Sequence, residues 1–238
     1  AVLYLPRRPV PASGRVLKIH VIRAALTAVM AYLFFFGLTR IPLAQAIGLS
    51  FIAPIITLFL AVPILGERIG ANAKLAAVLG FGGVMVVVGG ELLAVDEGSD
   101  AVGMAAVLVS AVMYAFNLVL QRMQALVARP LEIAFYQNTI VFLMLLVGVP
   151  FAVSWPASSY QWGGAALAAG FAVGSLMLMS LAYRQAEAQR LVVIEYTAFV
   201  WAAILGWWFF AEPVTARTLL GTGLIVLGCL VSARGGSR

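Results

Sequence analysis

The stretch LVVIEYTAFVWAAILGWWFF, Leu191 to Phe210, is nearly unbroken apolar sequence with one acid, Glu195. A charged side chain at the centre of a bilayer costs about 2.5–3.5 kcal/mol on insertion scales, so acids in such places face a cavity or a partner. A carboxylate there can exchange a proton or bind a cationic group. The structural alternative is a residue that reaches the headgroups or pairs with Arg190 or Arg184. Tyr196, the next residue, could help sandwich a planar molecule or simply contact lipid. Asn117 and Asn138 are the polar groups furthest from charged flanks, suited to ligand binding or to interhelical hydrogen bonds. Gln45, Tyr114, Gln121, Tyr136 and Gln137 are further polar groups in or near apolar runs. Pro54 lacks an N–H and is expected to bend its helix and free a carbonyl, which could shape a cavity.

Other chemistries find little support. His20 is the sole histidine and stands beside Lys18 and Arg23, where an interfacial helix-start role is expected. With no second histidine and only Cys229, no metal-ligand set can be assembled. No nucleophile–histidine–acid set emerges, and the Gly-rich GFGG lies mid-helix rather than in a strand–loop–helix context, so no cofactor is expected.

The elements that position these residues follow from composition. Hydrophobic residues make up 63% of the chain and charged ones 10%, against about 25% charged in soluble domains. The mean hydropathy is +1.06. About 20 residues at 1.5 Å rise cross a ~30 Å hydrocarbon core, and eight such runs follow one another: His20–Leu38, Leu43–Ile64, Leu75–Leu93, Val102–Leu120, Leu131–Phe151, Trp162–Tyr183, Leu191–Phe210 and Leu219–Val231. Their length and lack of alternation predict helices rather than barrel strands. The expected class is an all-α, polytopic helical membrane protein. The short opening AVLYL before Pro6 reads as the end of a helix rather than as a signal peptide.

The net charge of +6 is an orientation signal, not a nucleic-acid footprint. Of 15 basic residues, only Arg40 and Arg217 fall in the alternate set of loops, leaving 15 − 2 = 13 on the other side. Basic loops face the cytoplasm, so both ends of this chain are expected there, in a cytoplasmic (inner) membrane.

Sliding the chain by 145 residues (212 − 67) superposes Glu67 on Glu212, Ala53 on Ala198 and Gly83 on Gly228. The same register sets Ser50 against Glu195 and Phe51 against Tyr196, so the acid belongs to one copy only. Four helices lie between the matching segments, an offset of five, so the copies cross in opposite directions. Inverted repeats of this kind are typical of secondary transporters. Glu67 and Glu212 each close an apolar helix and are read as gating or helix-end groups.

Two stretches carry a family resemblance. FGLTRIPLAQAIGLSFIAPIITLFLAVPILGERI (Phe36–Ile69), followed by LAAVLGFGGVMVVV, resembles the EamA domain of the drug/metabolite transporter superfamily. So does the region from Leu181 to Ala233, with EYTA at Glu195–Ala198 and AEP at Ala211–Pro213 as specific elements. The resemblance implies ten helices in two inverted halves, with residues 1–93 as the C-terminal part of the first copy and 101–234 as the second. On that frame the first helix would precede Ala1, and the chain looks N-terminally truncated. The family's third, fourth, eighth and ninth helices surround its cavity; here they match His20–Leu38, Leu43–Ile64, Trp162–Tyr183 and Leu191–Phe210.

The function so implied is secondary active transport of a small organic metabolite by alternating access, with proton coupling and exchange both open. The alternative is a non-transporting subunit or membrane-embedded enzyme. Substrate-binding or coupling candidates are Glu195, Tyr196, Ser50, Phe51, Pro54, Asn117 and Asn138. Expected partners are the metabolite and the bilayer, with a homodimer as an option and no nucleic acid. EYTA looks most like members handling nucleoside-like or vitamin-like substrates, such as S-adenosylmethionine or riboflavin.

Overall fold

The computed structural model of the protein describes residues 13–41, 43–93, 100–146, 158–210 and 216–234. These form α1 (Gly14–Leu38), α2 (Leu43–Ser50), α3 (Ala53–Leu65), α4 (Ala71–Leu93), α5 (Ala101–Val127), α6 (Pro130–Leu146) and α7 (Ser159–Gln185). After them come the four-residue α8 (Ala188–Leu191), a 3-10 segment (Val192–Tyr196), α9 (Thr197–Phe210) and α10 (Ala216–Arg234). No strand occurs among the described residues. Four stretches are long and apolar enough to cross a membrane: α1, Ala46–Leu65, α5 and α7. Shorter apolar helices cover Ala71–Val86, Pro130–Leu146 and Leu219–Ser232.

The side-chain distribution is that of a protein whose solvent is lipid. Large apolar groups point outward, Phe59, Phe171 and Trp208 among them, while His20, Arg23, Asn117, Gln121, Gln124 and Gln137 are buried. In hydrocarbon an unpartnered polar group is costly, so polar side chains turn inward to meet one another. The long helix α5 shows this most clearly: Ser110, Asn117, Gln121 and Gln124 are buried and Tyr114 is half-buried, at helical spacing along one face.

Two of the runs expected to be continuous are interrupted. Leu43–Ile64 breaks at Phe51 and Ile52, between α2 and α3. Leu191–Phe210 passes through the 3-10 segment before α9 begins. The effect of Pro54 also differs from expectation. It is the second residue of α3, a position whose N–H has no intrahelical acceptor in any helix, so it starts a helix rather than bending one. The proline inside α3 is Pro63.

Contacts gather the described residues into two units, one within 1–28 and 120–186, the other within 29–119 and 187–238. In the first, α6 packs on α7. In the second, α4 packs on α10 at glycines. A Cβ on Gly83 would lie 2.5 Å from the Gly221 carbonyl oxygen and 2.8 Å from Ile225. One on Gly228 would lie 2.9 Å from the Ala76 carbonyl oxygen and 3.3 Å from the Gly80 nitrogen. These contacts are reciprocal: 76, 80 and 83 plus 145 give 221, 225 and 228. Residue 83 meets 221 while 76 meets 228, so the two helices run antiparallel where they cross.

Candidate functional site

The two interruptions meet within the second unit. Phe51, at the first break, stacks on Tyr196, the last residue of the 3-10 segment, with ring centroids 5.7 Å apart and planes 21° apart. The Tyr196 hydroxyl donates to the Phe51 carbonyl oxygen at 3.4 Å, across a sequence separation of 145. The register that the sequence proposed therefore pairs a residue with its own counterpart. Tyr196 is fully buried against Gly80, where no Cβ could fit, and shares a core with Val84 and Ile225. Broken helices leave backbone groups without intrahelical partners, and at membrane depth such irregularity is tolerated only inside protein or beside a cavity.

Glu195 lies in the 3-10 segment, half-buried, and accepts a hydrogen bond from the Tyr114 hydroxyl at 2.7 Å. Its partner is this phenol on α5, not Arg190. A hydrogen bond of this kind partly replaces the water an acid loses in an apolar setting. Asn117 stands one turn along α5 from Tyr114, on the same face. It is buried, with Nδ2 3.5 Å from Met30 Sδ. Ser110, a turn the other way, donates to the Met30 carbonyl at 2.7 Å.

The remaining candidates fall into distinct roles. Ser50 donates back to the Ala46 carbonyl at 2.8 Å, a bond that competes with the helix at the point where α2 ends. Pro54 is buried and deprives the Ser50 carbonyl, four residues earlier, of its helical donor. Asn138 belongs to the first unit, is exposed, and bonds to the Ala134 carbonyl of its own helix at 2.8 Å. Glu67 follows Gly66, whose φ of 70° closes α3 in the left-handed conformation that glycine adopts freely. Its carboxylate accepts from the backbone N–H groups of Ala188 at 3.1 Å and Gln189 at 3.3 Å, thereby capping the start of α8. Glu212 lies outside the described residues.

Two features escaped sequence reading. Tyr114 was one polar residue among several, although the spacing of Ser110, Tyr114, Asn117, Gln121 and Gln124 on one helical face signals an inward stripe. His20 was expected at an interface and is instead fully buried in the first unit, stacked on Tyr136 at 4.8 Å.

Apolar surface outside, polar groups inside and long apolar helices define a polytopic helical membrane protein. The chain belongs to the EamA-like transporter family, which it matches over residues 1–89 and 101–234. It is 28% identical to a riboflavin transporter of Rhizobium johnstonii, over 92% of this chain and 71% of that protein. It is 29% identical to a pseudopaline exporter of Pseudomonas aeruginosa, over 90% of this chain and 74% of that one. A solved crystal structure shares the fold with a TM-score of 0.80 at 22% identity, covering 98% of this chain and 82% of the other. Its function is membrane transport of a small molecule, a role its relatives share as transporters and exporters rather than enzymes.

Proposed function

We propose that the protein is a secondary active transporter of a small organic metabolite, working by alternating access, with substrate held where the two helix breaks meet. The observation that carries this reading is the Phe51–Tyr196 pair: both mark breaks, they are 145 residues apart, and they touch. Discontinuous helices at corresponding positions of two inverted copies are the strongest pointer to a transporter's binding site. The reciprocal glycine crossing of α4 and α10 supports the same pairing of copies.

Glu195 and Tyr114 are the polar anchor, taking a cationic or hydrogen-bond-donating group of the substrate, with Asn117 a turn away. Phe51, half-buried and stacked on the buried Tyr196, supplies aromatic surface suited to a flat ring. Riboflavin, named for one relative, combines a planar ring with a polyhydroxyl chain and fits such a site better than an inorganic ion would. The excess of basic residues in one set of loops supports a cytoplasmic-membrane orientation with both ends of this chain inside.

Flux of riboflavin and pseudopaline in proteoliposomes tests the reading. At least one should move faster than in empty liposomes. Glu195→Gln, which keeps an acceptor for Tyr114 but no charge, should cut that flux at least tenfold with the protein still folded. Wild-type flux in the variant removes Glu195 from the site.

A further inference from the structure

Contacts between the two copies are of two kinds. Phe51 meets Tyr196, its own counterpart 145 residues away. Gly83 approaches Gly221 and Ile225, and Gly228 approaches their counterparts Ala76 and Gly80. Exchanging each residue for its counterpart returns the same contacts. Where inverted copies rock against each other around a fixed site, contacts of this kind persist in both orientations. They form a pivot.

The second kind lies at the far end of α3. Glu67 accepts from the backbone N–H groups of Ala188 at 3.1 Å and Gln189 at 3.3 Å, in the first turn of α8. Gln189 reaches back: its Oε1 accepts from the Gly70 N–H at 3.0 Å, just before α4 begins. Its Nε2 donates to Glu187 Oε2 at 2.6 Å. A carboxylate accepts and a backbone N–H donates, so both ends of the Gln189 amide are fixed. In the 145-residue register the counterparts of Glu187 and Gln189 are Pro42 and Ala44. Neither side chain can donate or accept a hydrogen bond, so the register offers no such relay at the opposite end.

The turn gripped in this way leads into the candidate site. α8 continues directly into the 3-10 segment, where Glu195 stands 195 − 188 = 7 residues beyond Ala188. α3 packs on both α8 and the 3-10 segment. An unpartnered backbone N–H is costly away from water, so α8 cannot part from the turn after α3 without losing these bonds together.

We propose that Glu67 and Gln189 latch α8 to the turn after α3 and close the substrate site to this end, and that the one-ended relay makes this closed form the resting state. The latch rests on the alternating-access reading. Opening at this end breaks the Glu67 and Gln189 bonds, while the Phe51–Tyr196 stack and the α4–α10 crossing stay as they are. Glu67 and Gln189 are positioning residues: they set how often the site faces each side.

Thiol labelling from the two sides of the membrane tests the latch. It needs no substrate, so a protein that moves neither riboflavin nor pseudopaline leaves the result decidable. Cys229, the one native cysteine, is first replaced with serine. Ser50→Cys then reports from the end of α2, and Lys74→Cys, exposed near the start of α4, marks the face that carries the latch. A membrane-impermeant reagent should reach the Ser50→Cys thiol more slowly from the Lys74 face than from the other. Glu67→Ala should raise that slow rate on the order of tenfold, as the loss of one hydrogen bond to a charged group would, and lower the rate from the opposite face. Gln189→Leu leaves the Glu67 bonds in place, should shift both rates the same way by less, and decides the matter if Glu67→Ala fails to fold. A cap with only a structural role would lower the unfolding midpoint and leave the ratio of the two rates unchanged. An unchanged ratio, including no labelling from either face, overturns the latch, as does an equal rise from both faces. A ratio that moves in Glu67→Ala but not in Gln189→Leu overturns the role of the relay in setting the resting state.

Discussion

Glu195 and Glu132 are both acids among apolar helices, yet they are held in opposite ways. Glu195 has one neutral partner, the Tyr114 hydroxyl, and sits in a 3-10 segment between two α-helices. Glu132 lies in the first turn of an unbroken helix and faces a histidine whose orientation is set, through Gln124, by an arginine. The first acid carries no compensating cation, so a ligand's positive or donating group has something to gain there. The second faces a buried histidine held by its own network inside the protein, so a ligand has less to gain there. One arrangement suits a substrate, the other a structural role, and the contrast can be tested by disturbing what surrounds each acid.

The largest effect should come from Arg23. Replacing it with methionine keeps much of the side-chain volume but leaves the buried Gln124 oxygen without its charged donor. Losing a buried hydrogen bond from a charged group costs about 1.5–3 kcal/mol, and leaving its partner unsatisfied adds to that. Denaturant or SDS unfolding of the purified protein should show a loss at or above that size. An Arg23→Met protein as stable as the wild type would mean that the Arg23–Gln124 bond contributes nothing.

Tyr114→Phe should do less. It removes one hydrogen bond to a carboxylate, worth about 1.5–3 kcal/mol when the acceptor is charged, and leaves the half-buried acid able to find water. Its main consequence belongs to transport: Glu195 loses its orientation, so the apparent KM for a transported substrate should rise severalfold while the protein stays folded. If Tyr114→Phe destabilised the protein more than Arg23→Met, the assignment of roles to the two acids would be reversed.

The parts of this picture that were legible in sequence are those carried by periodicity and repetition. Every apolar run is helical over most of its described residues, and the 145-residue register brings Phe51 to Tyr196 and sets Gly83 against Gly221 and Ile225, the counterparts of the Ala76 and Gly80 that Gly228 meets. The breaks were not legible. Phe51–Ile52 and Val192–Tyr196 consist of the same residue types as the helices on either side, and hydropathy does not distinguish an α turn from a 3-10 turn. Pro54 pointed to the right neighbourhood, but a proline two residues into a helix marks where the helix starts, and the interruption precedes it. The His20 cluster was illegible for a different reason. His20 and Gln124 are 104 residues apart, and nothing local in IHVIRAA announces that its face will be covered.

The smallest effect calibrates the other two. Arg40 and Asp100 form an ion pair with Arg40 Nη1 2.6 Å from Asp100 Oδ2, and both side chains remain substantially in contact with solvent. Asp100 Oδ1 also accepts from the N–H groups of Val102 at 2.9 Å and Gly103 at 3.3 Å, at the start of α5. The hydrogen bond from Arg40 holds the Asp100 carboxyl below its ordinary value of 3.8. A carboxyl lowered on folding stabilises the protein above its unfolded-state value, and that contribution fades as pH falls through the lowered one. Unfolding midpoints measured from neutral to acid pH should therefore decline less steeply at the acid end in Asp100→Asn than in the wild type, with little difference near pH 7 beyond the loss of the pair. Because the pair is exposed, added salt should shrink even that difference. Salt should leave the Arg23→Met deficit in place, since its charges are shielded by protein rather than by water. A salt-sensitive Arg23→Met deficit would place that cluster in the same class as Arg40 and Asp100, at the surface, and dissolve the distinction between the two acids.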